Sequence, residues 1–194
     1  MTPMLTPVGR VKTESFAARW MLATAMTGVT CVCARLSAPL PFTPVPVTLQ
    51  VFAVLLSGLL LGRRWSVVAQ MQYLLLGAMG LPVFALGKCG IGVLFGITGG
   101  YLLSYPIAAG VTGWLSQRRP SQTAPFAGVA AGVGIIYAMG CLWLAMMSNP
   151  VLSLRATIVM GMGWFVAWDA VKALLAIAVA SGLKARFQSD ITAE

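Results

Sequence analysis

The sequence predicts an all-α integral membrane protein built from six transmembrane helices. Three observations carry this expectation. Of the 194 residues, 59% are hydrophobic and only 9% charged, where a soluble domain carries about 25% charged residues. The mean hydropathy is +0.88. Apolar runs recur along the chain, separated by short breaks rich in Pro, Gly or Arg. At roughly 20 apolar residues per crossing, the length holds five or six spans with short loops and no extramembrane domain.

The elements follow in order. Residues 1–15 are polar and basic, and read as a cytoplasmic tail ahead of a retained first span over 16–36. That run exceeds the 7–15 residues of a signal-peptide core, and Pro39 after Ser37-Ala38 spoils a cleavage site. Residues 37–46 hold four prolines, Pro39, Pro41, Pro44 and Pro46, which oppose helix and favour extended backbone. The second run, 47–61, stops at Gly62-Arg63-Arg64, and the third covers 66–79. Both are short for a crossing, so tilt, a kink or partial re-entry is expected. Gly80-Leu81-Pro82 breaks that helix and a Gly-rich stretch over 87–100 follows. The fourth span is 100–115, closed by Arg118-Arg119-Pro120, and the fifth is 124–147, closed by Asn149-Pro150. The last apolar stretch, 151–183, is about ten residues longer than a bilayer requires. It divides into a surface segment over 151–166, with Arg155 and the helix-weakening Gly161 and Gly163, and a sixth crossing over 167–185. The whole reads as one membrane domain, 1–194: a six-helix bundle over 16–185 and a second cytoplasmic tail over 186–194.

Positive residues test the alternation of loops, because Lys and Arg gather on the cytoplasmic side. Nine fall on the side of the N-terminus: Arg10, Lys12, Arg19, Arg63, Arg64, Arg118, Arg119, Lys184 and Arg186. Three fall on the other side, Arg35, Lys88 and Arg155, while Lys172 lies inside the last span. The bias predicts a multi-pass protein of a bacterial cytoplasmic membrane with both termini in the cytoplasm. It also accounts for most of the net charge of +9 as orientation signals, so no nucleic acid partner is expected.

Several chemistries are excluded. There is no histidine, the commonest metal ligand and the usual proton shuttle near neutral pH. Cys31, Cys33, Cys89 and Cys141 lie in apolar segments without metal-ligand spacing. Neither a P-loop nor a dinucleotide-binding fingerprint occurs, and no nucleophile has a plausible base. No catalytic residue, metal or cofactor is assigned.

Asp169 is the one acid inside an apolar segment, and Lys172 sits three residues later, on the same helical face. A charge in lipid costs at least ~2.5 kcal/mol, so the two face a polar interior or each other. They are an ion pair locking the bundle or the lining of a cavity open to the outer face, near the start of the sixth span, where the helix N-terminus favours an anion. The proline run Pro41-Phe42-Thr43-Pro44-Val45-Pro46 makes a stiff segment that loses little entropy on closing over a ligand, or an ordinary rigid connector. Most glycines of 80–100 suit close helix packing. Lys88 and Tyr101 add polar groups near the outer side. In the first span, Ala23 with Thr27 and Thr24 with Gly28 place small residues four apart, a stripe for packing within the chain or for docking a partner.

The run Pro41 to Gln50, then Gly77 to Phe84, Gly96-Ile97-Thr98-Gly99-Gly100-Tyr101-Leu102, Tyr137-x-x-Gly140-x-x-Trp143-Leu144 and Asp169-x-x-Lys172 together resemble the biotin-specific substrate-capture (S) subunits of energy-coupling-factor (ECF) transporters, the BioY family. The resemblance spans about residues 18–185. Three departures stand out: Ile97 replaces a usual proline, Val166-Ala167-Trp168 replaces a Pro-Gly before the aspartate, and the docking stripe is small-x-x-x-small rather than A-x-x-x-A. The resemblance implies a six-helix subunit that takes biotin from outside, beneath a lid formed by Pro41, Phe42, Thr43, Pro44, Val45 and Pro46. It implies as partners a transmembrane coupling protein and two ATPases, though not for every member, and places Asp169 and Lys172 in the biotin site. On that footing Asp169 accepts from the ureido N–H groups, Lys172 donates to the ureido carbonyl or supports Asp169, and Lys88 meets the carboxylate. The reverse, Lys172 on the carboxylate, is the second assignment. Trp143, Tyr101 and Phe84 pack on the thioether ring and chain, and Thr48 and Gln50 fasten the lid. The alternatives are an S subunit for another small vitamin and a membrane scaffold whose charges only hold helices.

Overall fold

The computed structural model describes residues 15–118, 121–148 and 152–192. The expectations for the tail 1–14, for Arg119 and Pro120, for 149–151, and for the side chain of Arg186 lie outside what it describes. The first helix, α1 (Phe16–Arg35), starts at Ser15, whose Oγ accepts the Ala18 N–H at 3.3 Å. It buries Ala23, Met26, Thr27, Thr30 and Ala34, a stripe at helical spacing, and leaves Trp20, Met21 and Val32 exposed to the surrounding lipid.

The proline-rich segment is extended, as expected, and also forms a two-stranded antiparallel hairpin, β1 (Ser37–Leu40) with β2 (Thr43–Thr48). Ser37 pairs with Thr48, Ala38 with Val47 and Leu40 with Thr43, with an irregularity between Ala38 and Leu40. Pro39 stands at that irregularity, which is where a residue with no N–H is tolerated.

Next comes α2 (Gln50–Ala78), 29 residues interrupted at Gly62, whose φ of 73° and ψ of −173° are not helical. The interruption is a reversal. Gln50 Nε2 donates to Tyr73 Oη at 2.6 Å, and Gln70 Nε2 to Ser57 Oγ at 3.2 Å. In a straight helix Gln50 and Tyr73 would stand about 35 Å apart. The limbs 50–61 and 63–78 therefore lie antiparallel, matching the second and third spans expected from the break at Gly62-Arg63-Arg64.

A loop with a 3-10 turn (Ala85–Gly87) and a four-residue helix, α3 (Ile91–Leu94), leads into α4 (Gly99–Arg118) and then α5 (Ala124–Met147). Helix α4 packs between α2 and α5. The segment after 151 is a short helix, α6 (Leu154–Ile158), and a π-helical turn (Val159–Gly163), followed by α7 (Val166–Thr192). Six long rods result: α1, the two limbs of α2, α4, α5 and α7. Among the described residues, four segments, Phe16–Arg35, Gln50–Ala78, Ala124–Met147 and Arg155–Ala185, are long and apolar enough to cross a membrane. The six-helix architecture predicted from the sequence holds, with the small hairpin added.

The chain order sorts the bundle into two ends. The hairpin, the loop over 79–98 and the α6–π segment gather at one, with Arg35, Lys88 and Arg155. The Gly62 turn, the end of α4 and the start of α5 lie at the other, with Arg19, Arg63, Arg64, Arg118 and Lys184. Lys184 Nζ donates to the Leu59 carbonyl at 2.9 Å, tying α7 to the end of limb 50–61, where a cation suits the open carbonyls.

Candidate ligand cavity at the hairpin end

Helix α7 turns Asp169, Lys172, Ala173, Ala176 and Ala180 inward and Trp168, Val171 and Leu174 outward, and the turn just before it sets Phe165 inward and Trp164 outward. This spacing of three and four residues drives both charges into the bundle. Asp169 and Lys172 are 4% and 6% exposed, so neither reaches bulk water. Lys172 Nζ donates to Asp169 Oδ1 at 2.7 Å, and Tyr137 Oη, from α5, donates to Asp169 Oδ2 at 2.5 Å. Each carboxylate oxygen thus has one donor and keeps lone pairs free, and Lys172 retains further N–H groups. This arrangement offers both acceptors and donors to a guest.

The pair lines a cavity of about 110 Å³, where one water needs roughly 10–15 Å³. Pro44, Val45, Pro46, Thr48 and Gln50 form one wall, Phe84, Leu86 and Lys88 another, and Tyr101, Tyr105, Ile136, Tyr137 and Phe165 the apolar and phenolic remainder. Lys88 is exposed and stands at the mouth. Phe84 is 1% exposed; its ring meets Tyr73 edge-on at 5.5 Å and lies over Gly77, where any Cβ would collide with it. Leu86 has a φ of 58°, a rare conformation for a residue with a side chain and one concentrated at functional sites. The Tyr101 ring fits against Gly140, and Tyr101 Oη donates to the Gly161 carbonyl at 2.8 Å. That carbonyl belongs to the π turn, a geometry frequent at functional sites.

The hairpin is tied down over this end. Thr43 Oγ1 donates to the Met160 carbonyl at 2.8 Å, Phe42 packs on Trp164 with ring centroids 5.0 Å apart, and the Leu86 N–H donates to Ser37 Oγ at 3.0 Å. The Gln50 N–H donates to Thr48 Oγ1 at 3.2 Å, stiffening the passage from β2 into α2.

With this geometry, the model of the BioY family matches residues 6–189. The chain belongs to the BioY family. It is 43% identical over 145 residues to the biotin transporter BioY of Thermotoga maritima, covering 75% of this chain and 84% of that protein. To the biotin transporter BioY of Rhizobium etli it is 35% identical over 146 residues, 71% of this chain and 76% of that one. A crystal structure at 2.1 Å of the S-component for biotin from an ECF-type ABC transporter superposes with a TM-score of 0.81 at 25% identity, covering 90% of this chain and 94% of that chain.

In this BioY family member, Asp169, Lys172, Lys88, Tyr101, Phe84, Thr48 and Gln50 converge on one cavity. Trp143 does not. Its indole N–H donates to the Gly96 carbonyl at 2.9 Å, and its side chain lies over Gly99 and Gly100, which lack the Cβ that would block it. Trp143 therefore bolts α5 to the start of α4. Of the proline-rich segment, Pro44, Val45 and Pro46 face the cavity, while Thr43 and Phe42 tie the hairpin down and Pro41 is exposed at its turn. Ala23 and Thr27 are buried within the chain, and Thr27 Oγ1 donates to the Ala69 carbonyl at 2.9 Å, so that half of the small-residue stripe packs α1 on α2. Thr24 and Gly28 remain exposed. Tyr137, Tyr105, Ile136 and Phe165 are cavity residues that spacing along the sequence did not assign to the site.

Proposed function

We propose that this chain is a biotin-capture subunit for vitamin uptake, holding the ureido ring between Asp169 and Lys172. The observation that carries the reading is a buried carboxylate, hydrogen-bonded by Lys172 and Tyr137, exposed to a cavity lined mainly by apolar and phenolic groups, with Thr48, Gln50, Thr98 and Lys88 as its further polar lining. Biotin presents the complement: ureido N–H donors for Asp169, a strong carbonyl acceptor for Lys172, and an apolar thioether ring for Tyr101 and Phe84. Charge-assisted hydrogen bonds are roughly twice as strong as neutral ones, which suits capture of a scarce vitamin. The valerate carboxylate points to the mouth and Lys88. The strand Pro44-Val45-Pro46 acts as the lid, held by Thr43 and Phe42 and footed on Thr48 and Gln50.

The protein works as one membrane domain in the cytoplasmic membrane of a bacterium, with both termini in the cytoplasm and the hairpin end outside. It is a binding subunit, not an enzyme. It passes its cargo on with a transmembrane coupling protein and two ATPases, and the exposed stripe of Thr24 and Gly28 on α1 is the docking face. Calorimetry of the detergent-purified chain against a panel of small vitamins tests the reading. Tight binding of biotin alone is the expected result; tight binding of another vitamin reassigns the ligand, and binding of none reduces the charged pair to a structural lock.

A further inference from the structure

A second cavity, about 560 Å³, opens at the other end of the bundle, on the scale of small-molecule sites, roughly 300–1,000 Å³. Counting along α4, Trp114 lies about 20 Å from Tyr101 of the first cavity, so the two are separate. Arg63, Arg64 and Arg118 line it together with Arg19, Trp65 and Trp114, and among the described residues no Asp or Glu does.

We infer that this groove binds the phosphate headgroup of an anionic phospholipid. Arginines in this region serve as orientation signals wherever their loop puts them, and that role requires no fixed geometry. Here the geometry is fixed. The turn at Gly62 is pressed against α4 so closely that a Cβ on Gly113 would stand 2.8 Å from the Arg63 nitrogen, which immobilises the backbone of Arg63. Arg118 is held over the Trp114 ring at 4.6 Å. Guanidinium groups take phosphate oxygens two at a time, and basic pockets between membrane helices suit multiply charged lipid headgroups. A lipid fits better than a soluble acidic partner for two reasons. Trp20 and Trp65 pack edge-on at 5.6 Å, an aromatic cluster at the depth where such rings meet headgroups. Leu60 and Leu61 also line the groove, an apolar wall for the first carbons of an acyl chain. The inference is independent of what the first cavity binds.

Native mass spectrometry of the full chain tests it, with phosphatidylglycerol, cardiolipin or phosphatidylcholine added to the detergent. The expected result is retention of phosphatidylglycerol or cardiolipin roughly tenfold above phosphatidylcholine, lost in the double variant R63Q/R64Q. The variant R63K/R64K keeps the charge that sets orientation and loses the forked donors, so retention falls in it too, while binding at the first cavity stays unchanged in both. Equal retention of phosphatidylcholine, or unchanged retention in both variants, overturns the inference. So does displacement of the lipid by millimolar inorganic phosphate, which would mark a site for a free anion, or by a polyglutamate peptide, which would mark an acidic protein surface.

Discussion

Asp169 keeps its place in an apolar bundle because both carboxylate oxygens are satisfied, one by Lys172 and one by Tyr137. Removing one partner of a buried ion pair strands the other, a loss of several kcal/mol, and in a binding site it also removes a charge-assisted bond to the guest. Asp169→Asn and Lys172→Ala are each expected to weaken biotin binding about tenfold or more, read by calorimetry, since tenfold corresponds to about 1.4 kcal/mol and one bond to a charged group to about 1.5–3. Tyr137→Phe deletes a single donor to the buried Oδ2 and leaves the pair intact; a loss of about tenfold in biotin affinity with a modest fall in melting temperature is expected, and unchanged affinity would separate Tyr137 from the site. The charged pair was legible in the sequence because two charges three residues apart in a greasy run have few alternatives. Tyr137 was not, since a phenol in a membrane helix reads as packing and only the three-dimensional register brings it to a residue 32 positions away. Trp143 was misread for the converse reason: an indole near the right depth passes for a ligand platform until its N–H is seen to be spent on Gly96.

At the scale of elements, the breaks carried most of the information. Gly62-Arg63-Arg64 interrupts an apolar run, and the chain reverses there. The two glycines of 151–166 mark the π turn. The hairpin was legible only as extended chain, because its prolines withhold the N–H groups that a strand pattern relies on; pairing survives through the residues between them. Its ties to Met160 and Trp164 join it to the segment that enters α7, so a hairpin acting as the proposed lid would break them on opening. Thr43→Val and Phe42→Ala should therefore speed biotin dissociation several-fold, with a smaller change in association, as is usual when contacts formed after encounter are lost. Stopped-flow kinetics checks this. Equal changes in both rates would mean that the hairpin shapes the site and does not close it.

At the scale of the whole molecule, the two ends differ in charge and in equipment. One end carries the cavity and the hairpin that lines it; the other carries Arg19, Arg63, Arg64, Arg118 and Lys184. On the orientation proposed from the positive-inside bias, with the second end in the cytoplasm, a single cysteine introduced at the hairpin tip in a chain cleared of its native cysteines should react with an impermeant maleimide from outside, while one near the C-terminus should not. Labelling with the opposite sidedness would invert the proposed orientation. The central claim remains the grip of Asp169 and Lys172 on the guest. A density map of the protein with biotin bound tests it most directly: the ureido ring is expected within hydrogen-bonding distance, about 2.7–3.2 Å, of both side chains. Biotin lodged elsewhere in the bundle, with the pair closed on itself, would contradict it.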